Sequence, residues 1–159
     1  MIALRPAIAD DVPTLLAMVQ ALAAHEGRAG KTGAPVGSEA GFRAGGFGPR
    51  PLFWSIIAEQ ARQPVGMVIY YPDFSTHRGQ AGVYVQDIFV DPKARGKGLA
   101  RTLLAEVMAV QDWDARYMTL GVSRDNEVAV RVYAKLGFRH RGYDFLILDG
   151  QGLTALSAS

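Results

Sequence analysis

Apolar and polar positions along the chain alternate with two different periods, and each switch of period marks an element. Residues 2–5 read as a short first strand. From Val12 the period becomes helical: Leu15, Leu16, Val19, Leu22 and Ala23 recur on one face to about Glu26. Asp10 or Asp11 stands at the cap, with Pro13 in the first turn. Residues 27–50 are rich in glycine, carry Pro35 and Pro49, and form the least regular stretch. They read as a mobile loop with a short helix after Ser38 that carries Phe42. Residues 52–58 and 64–71 are β-rich runs joined by a short polar turn, hence a hairpin. A loop is expected over 72–82, then a strand ending at Val90. A helix from Gly98 to about Gln111, a strand at 117–122, a helix at 126–136 and a last strand at 143–148 complete the chain.

That order predicts an α/β protein of 159 residues in one domain, a mixed and mostly antiparallel sheet with helices on both faces. Apolar residues at 49% and charged residues at 20% suit an ordered globular chain. No run approaches the roughly 18 apolar residues of a membrane span. The first residues show no secretory pattern, so a cytoplasmic location and no membrane partner are expected. A formal charge of +2, with Lys and Arg scattered among 15 carboxylates, argues against nucleic acid as partner. His25, His77 and His140 lie far apart, and no metal site is expected. There is no cysteine, hence neither a disulfide frame nor a thiol nucleophile, and any acyl transfer is direct or uses another group.

Chemistry gathers between Tyr84 and Ala100. An apolar strand ends at Asp91-Pro92, and the short basic loop Lys93-Ala94-Arg95-Gly96-Lys97-Gly98 leads into a helix. Helix starts present unpaired N–H groups and the positive end of the helix dipole. Gly96 and Gly98 admit a phosphate close to the backbone, and Arg95 and Lys97 add charge. A P-loop is excluded because Lys97 is followed by Gly98, and a dinucleotide fingerprint because Arg101 stands where a small residue is needed. What remains, Arg95-x-x-Gly98-x-Ala100, resembles the pyrophosphate-binding signature of the GNAT N-acetyltransferases. Downstream, Asn126-x-x-Ala129 and Tyr133-x-Lys135-x-Gly137-Phe138 resemble the second motif of that family, with Gly137 as the helix C-cap. The resemblance covers residues 2 to 149.

The resemblance implies acetyl-CoA as co-substrate, held by Arg95, Gly96, Lys97, Gly98, Leu99, Ala100 and Arg101, with Asn126 and Tyr133 contributing. Ile88, Phe89 and Val90 would offer backbone groups to the acetyl and pantetheine portion from a distorted strand, an irregularity implied only by the family. Tyr133 matches the family's general acid at the thioester sulfur. On helical spacing alone it reads as a packed aromatic, and the Asn126 and Gly137-Phe138 context is what favours the acid.

Within the family, Tyr84 to Val90, Gly46-Phe47-Gly48 and Ala58-Glu59 are similar to the diamine (spermidine/spermine) acetyltransferase branch. That branch carries a glutamate base where this chain has Gln86, an amide that takes no proton at neutral pH. Three readings stay open: Asp87 works through water, the loop supplies a group, or the substrate differs. The expected acceptor is the primary amine of a small molecule, polyamine- or amino-acid-like. A peptide or protein acceptor is the alternative, and a non-catalytic acyl-CoA sensor is the alternative of another class. The branch also implies a homodimer paired through the 143–148 strand.

Overall fold

The computed structural model describes residues 1–26 and 37–157. They form two compact units, Met1–Asn126 and Glu127–Ser159, each taken by itself below. The part of the expected mobile loop at 27–36 lies outside the described residues.

The first unit is a five-stranded sheet in chain order, β1 to β5. Strands β1 (Ile2–Pro6), β2 (Trp54–Gln60), β3 (Gln63–Ser75) and β4 (Gln80–Val90) pair antiparallel. The short β5 (Met118–Leu120) joins β4 in parallel. Helix α1 (Val12–His25) buries Leu15 and Met18 against Ile57, Met67 and Ile69 on one face. Phe42 and Phe47 of α2 (Glu39–Phe47) pack on the same cluster. Ser38 caps α2 by accepting the Gly41 N–H at 3.0 Å, so the short helix expected after Ser38 is present. The other face is covered by α3 (Leu99–Val110), whose Leu99 and Leu103 side chains lie directly over Gly66. A side chain at Gly66 would meet both, and also the Phe89 carbonyl at 2.9 Å.

A half-exposed ion-pair group ties the first strand to its neighbours. The Arg5 guanidinium donates to Glu59 Oε1 at 2.9 and 2.7 Å and to both Asp11 carboxylate oxygens at 2.7 and 2.8 Å. The Arg5 bonds hold the Asp11 carboxyl below its ordinary range, against the opposing effect of burial. Asp11 also accepts the Ile8 N–H at 2.8 Å, so it braces the entry to α1 from the side.

Two expectations are corrected, one in β3 and β4 and one in β5. The loop placed over 72–82 is mostly strand: β3 continues to Ser75 and β4 starts at Gln80, leaving a turn at 76–79. Pro72 is tolerated there because β2 pairs with β3 only as far as Tyr70, so no strand asks the Pro72 nitrogen for a proton. The strand expected at 117–122 is shorter, Met118–Leu120.

The second unit holds α4 (Glu127–Lys135) and α5 (Gly150–Ser157). The strand expected over 143–148 is absent: those residues have no regular secondary structure, with Phe145 67% and Leu146 96% exposed. Their composition favours a strand, but a strand needs a neighbouring edge, and this unit contains none among its described residues. Helix α5 was not anticipated.

Candidate active site

The site begins where β4 stops behaving as a regular strand. Asp87 pairs with Ile69 and Val85 pairs with Tyr70, so Gln86 is an extra residue with no place in the ladder to β3. The strand irregularity implied by the family resemblance is therefore present, as a β-bulge at Gln86. On the other side, β5 pairs only with Val83, Tyr84 and Val85. From Gln86 to Val90, β4 is laddered to β3 alone; on its second edge the Ile88 and Val90 N–H groups face no neighbouring strand, and the Val90 carbonyl accepts from Arg95.

The strand then runs into the glycine loop. Asp91 accepts the Lys93 N–H at 2.8 Å and opens a single 3-10 turn, Pro92–Ala94, whose Ala94 is buried as an anchor. Gly96 and Gly98 adopt φ of 76° and 75°, the left-handed region, and a Cβ at either would meet nothing within 4 Å. Open space in front of two glycines is what a close-approaching ligand needs. Gly98 is the N-cap of α3 and brings no capping side chain, so the first N–H groups of this 12-residue helix face that space. These features fit the pyrophosphate of a nucleotide co-substrate.

Arg95 departs from its expected role in one respect. Its Nε donates to the Val90 carbonyl at 3.0 Å, so the side chain folds back onto the strand. Besides lending charge, it ties the glycine loop to the end of β4. Lys97 and Arg101 are exposed, and Leu99 is buried against the sheet, so Leu99 presents its backbone to the loop while its side chain serves the core.

Gln86 and Asp87 gather around a residue that sequence reasoning passed over. Tyr71, on β3, donates its hydroxyl proton to Gln86 Oε1 at 3.2 Å, and its ring stacks on Tyr84 with centroids 5.0 Å apart. Burial raises the Tyr71 phenol above its ordinary range, helped by Tyr84, Asp73 and Asp87. Tyr71 follows Ile69 by two residues and so shares the α1 face. Tyr71 was findable: once the hairpin register is known, it stands opposite Tyr84.

Asn126 ends the first unit in a turn, its N–H donating to the Ser123 carbonyl at 3.0 Å. Tyr133 belongs to the second unit. The Phe138 N–H donates to the Tyr133 carbonyl and the Gly137 N–H to the Ala134 carbonyl, both at 3.0 Å, and Gly137 has φ 95°. That bond pair is a Schellman cap, and the Tyr133 and Phe138 rings make its apolar contact edge to face at 5.6 Å. The Tyr133 ring thus has a local packing role, and burial raises its phenol above the ordinary range, so the hydroxyl keeps its proton. Among the described residues no group of three or more His, Asp or Glu is placed to hold a metal ion, and no helix is long and apolar enough to cross a membrane.

Residues 20–138 match the model of the Acetyltransferase (GNAT) family. The thialysine N-epsilon-acetyltransferase of Sus scrofa is 30% identical over 167 residues, covering 97% of this chain and 96% of that protein. The peptidyl-lysine N-acetyltransferase YjaB of Escherichia coli (strain K12) is 30% identical over 96 residues, 60% of this chain and 55% of that protein. Among solved structures, an integron cassette protein from V. cholerae superposes with a TM-score of 0.79 at 18% identity, covering 99% of this chain and 98% of that one. At that identity the likeness speaks to the fold.

Proposed function

The chain belongs to the GNAT acetyltransferase family and is an acetyl-transfer enzyme, and from that premise we propose that it moves the acetyl group of acetyl-CoA directly to the primary amine of a small molecule. The observation that carries this reading is the continuity of the half-laddered β4 segment, Gln86 to Val90, with the open glycine loop that starts α3. When bound, acetyl-CoA supplies an acetyl thioester. The backbone from Arg95 to Arg101 would hold its pyrophosphate, with Asn126 adding a polar contact. The outward N–H groups of Ile88 and Val90, on either side of Phe89, would donate to the acetyl and pantetheine carbonyls, a contribution worth roughly 3–4 kcal/mol for one good oxyanion bond.

Two proton tasks fall to side chains. A lysine-like amine has a pKa of about 10.4, so only about one molecule in two thousand is neutral at pH 7. Asp87 attracts the ammonium form and, through water, takes the proton it must lose. Tyr133, kept protonated by burial, gives its proton to the departing thiolate. The chain is proposed as one catalytic domain, with a homodimer as its assembly. The exposed 143–148 segment supports that assembly as an apolar stretch in need of cover.

Thiol release against a panel of small amines, peptides and proteins, with calorimetry of acetyl-CoA binding, tests the reading. Asp87→Asn should lower kcat/KM for the amine and leave acetyl-CoA affinity unchanged. Acetyl-CoA binding with no turnover on any acceptor would instead identify a sensor. Turnover on peptides alone would move the acceptor to the protein class represented by YjaB.

A further inference from the structure

Resting on the reading that Asp87 serves the acceptor amine, we infer that Tyr71 is a positioning residue for the reaction: its hydroxyl holds the bulge residue Gln86 and so fixes where the Asp87 carboxylate stands. The inference starts from a weak step in β4. At Gln86 the ladder to β3 skips a residue, and the ladder to β5 has already ended at Val85. Shifting the extra residue one place toward the glycine loop would pair Gln86 with Ile69 and take Asp87 out of the ladder. Backbone pairing is thus thinnest immediately before the carboxylate whose placement the reaction needs.

Side chains span that step. Tyr71 donates its hydroxyl proton to Gln86 Oε1 at 3.2 Å, and it does so from a position opposite Tyr84, not opposite the bulge. Its ring stacks on Tyr84 with centroids 5.0 Å apart and planes inclined by 20°, so the hydroxyl is carried on a ring that is itself held. Tyr84 is confined in turn. Gly121, the first residue past β5, has no side chain, and a Cβ there would stand 3.2 Å from the Tyr84 hydroxyl. A column of Gly121, Tyr84, Tyr71 and Gln86 therefore runs from the end of β5 to the bulge. Burial raises the Tyr71 phenol, with Tyr84, Asp73 and Asp87 adding to it, so the hydroxyl keeps the proton it donates. Asp87 pairs with Ile69, two residues from Tyr71, and so stands on the same face as the bond.

Tyr71→Phe keeps the stacked ring and removes only the hold on the bulge. With the small amine of the panel that is turned over best, putrescine and lysine included, thiol release should show kcat/KM for the amine lowered about three- to tenfold. Acetyl-CoA affinity by calorimetry and the melting temperature should stay nearly unchanged. Gln86→Leu cuts the same bond from its other end and should cost a similar factor, and the double variant should lose no more than either single one. The loss caused by Asp87→Asn should also be several-fold smaller in the Tyr71→Phe background than in the wild type. Full kcat/KM in Tyr71→Phe, losses that multiply in the double variant, or acetyl-CoA affinity falling in step with kcat/KM overturns the inference. If Asp87→Asn still lowers kcat/KM in the wild-type background, the reading of Asp87 stands without it. If Asp87→Asn is silent there, that reading falls and the inference falls with it.

Discussion

Gly98, just before α3, and Gly137, just after α4, both hold positive φ, 75° and 95°. A Cβ at either would meet nothing within 4 Å. Around Gly137 the backbone closes on itself: Gly137 and Phe138 return their N–H groups to the last turn, and two aromatic rings seal it. Around Gly98 no side chain caps the helix start, and its donors stay directed at open space. A left-handed glycine is therefore a hinge in the chain and nothing more. Whether it marks a ligand site or a finished helix depends on where the orphan backbone groups of that helix end go.

Tyr133 is the sharpest test of that contrast, because it sits in the closed end and is also the proposed acid. Tyr133→Phe keeps the ring that seals the cap and removes only the hydroxyl. Turnover should fall about 10²–10⁴-fold with acetyl-CoA affinity and melting temperature nearly unchanged. Wild-type turnover in the Phe variant would reduce Tyr133 to its packing role. At the open end, Gly98→Val places a branched side chain where the pyrophosphate is to lie. Acetyl-CoA affinity measured by calorimetry should drop by at least about tenfold, beyond the left-handed strain of about 1–2 kcal/mol. Undiminished affinity in a folded variant would remove the loop from the binding site.

Gly137→Ala should behave in the opposite way: a stability loss of about 1–2 kcal/mol in denaturant titration, with KM for acetyl-CoA unchanged. A large KM effect would break the division between the two ends. The smallest effect is expected far from both, at Asp11. Its carboxyl is held low by Arg5, so the stabilisation is present above the unfolded pKa of about 3.9 and is lost as pH falls through the lower folded value. Asp11→Asn should be slightly less stable than wild type at pH 7 and should lose less on acidification from pH 5 to pH 2. Parallel melting curves for the two proteins over that range would show that the ion pair contributes nothing.

Helices α1 to α4 and most strands were legible because their signals are local. The apolar stripe of α1, Ser38 as a cap and Gly98 before α3 each act within one or two turns. The glycine loop was legible for the same reason. What escaped depends on partners distant in sequence. The segment 143–148 has strand composition but no edge to join in its unit, and Pro72 looks like a strand breaker until β2 is seen to stop at Tyr70. The turn between β2 and β3 is made by Ala61 and Arg62, with φ of 50° and 63°. That geometry is usually given to Asn-Gly, so sequence offers only "short and polar". In the site, Gln86 and Asp87 stood out as polar residues in an apolar strand, but the Tyr71 hydroxyl that fixes the amide comes from 15 residues away.

The bulge at Gln86 also makes β4 a strand of two parities. Val83 and Val85 pair with Pro72 and Tyr70 and are buried, Val85 on the side that α3 covers, whereas Asp87 and Phe89 pair with Ile69 and Met67 on the side of α1. All four are odd-numbered, and an uninterrupted strand would send them to one side. The extra residue lets a single segment furnish apolar wall to one layer and a carboxylate to the other. The count of residues between Val85 and Asp87 is accordingly constrained more tightly than their identity. Deleting Gln86 would turn either the two valines or Asp87 and Phe89 to the wrong layer.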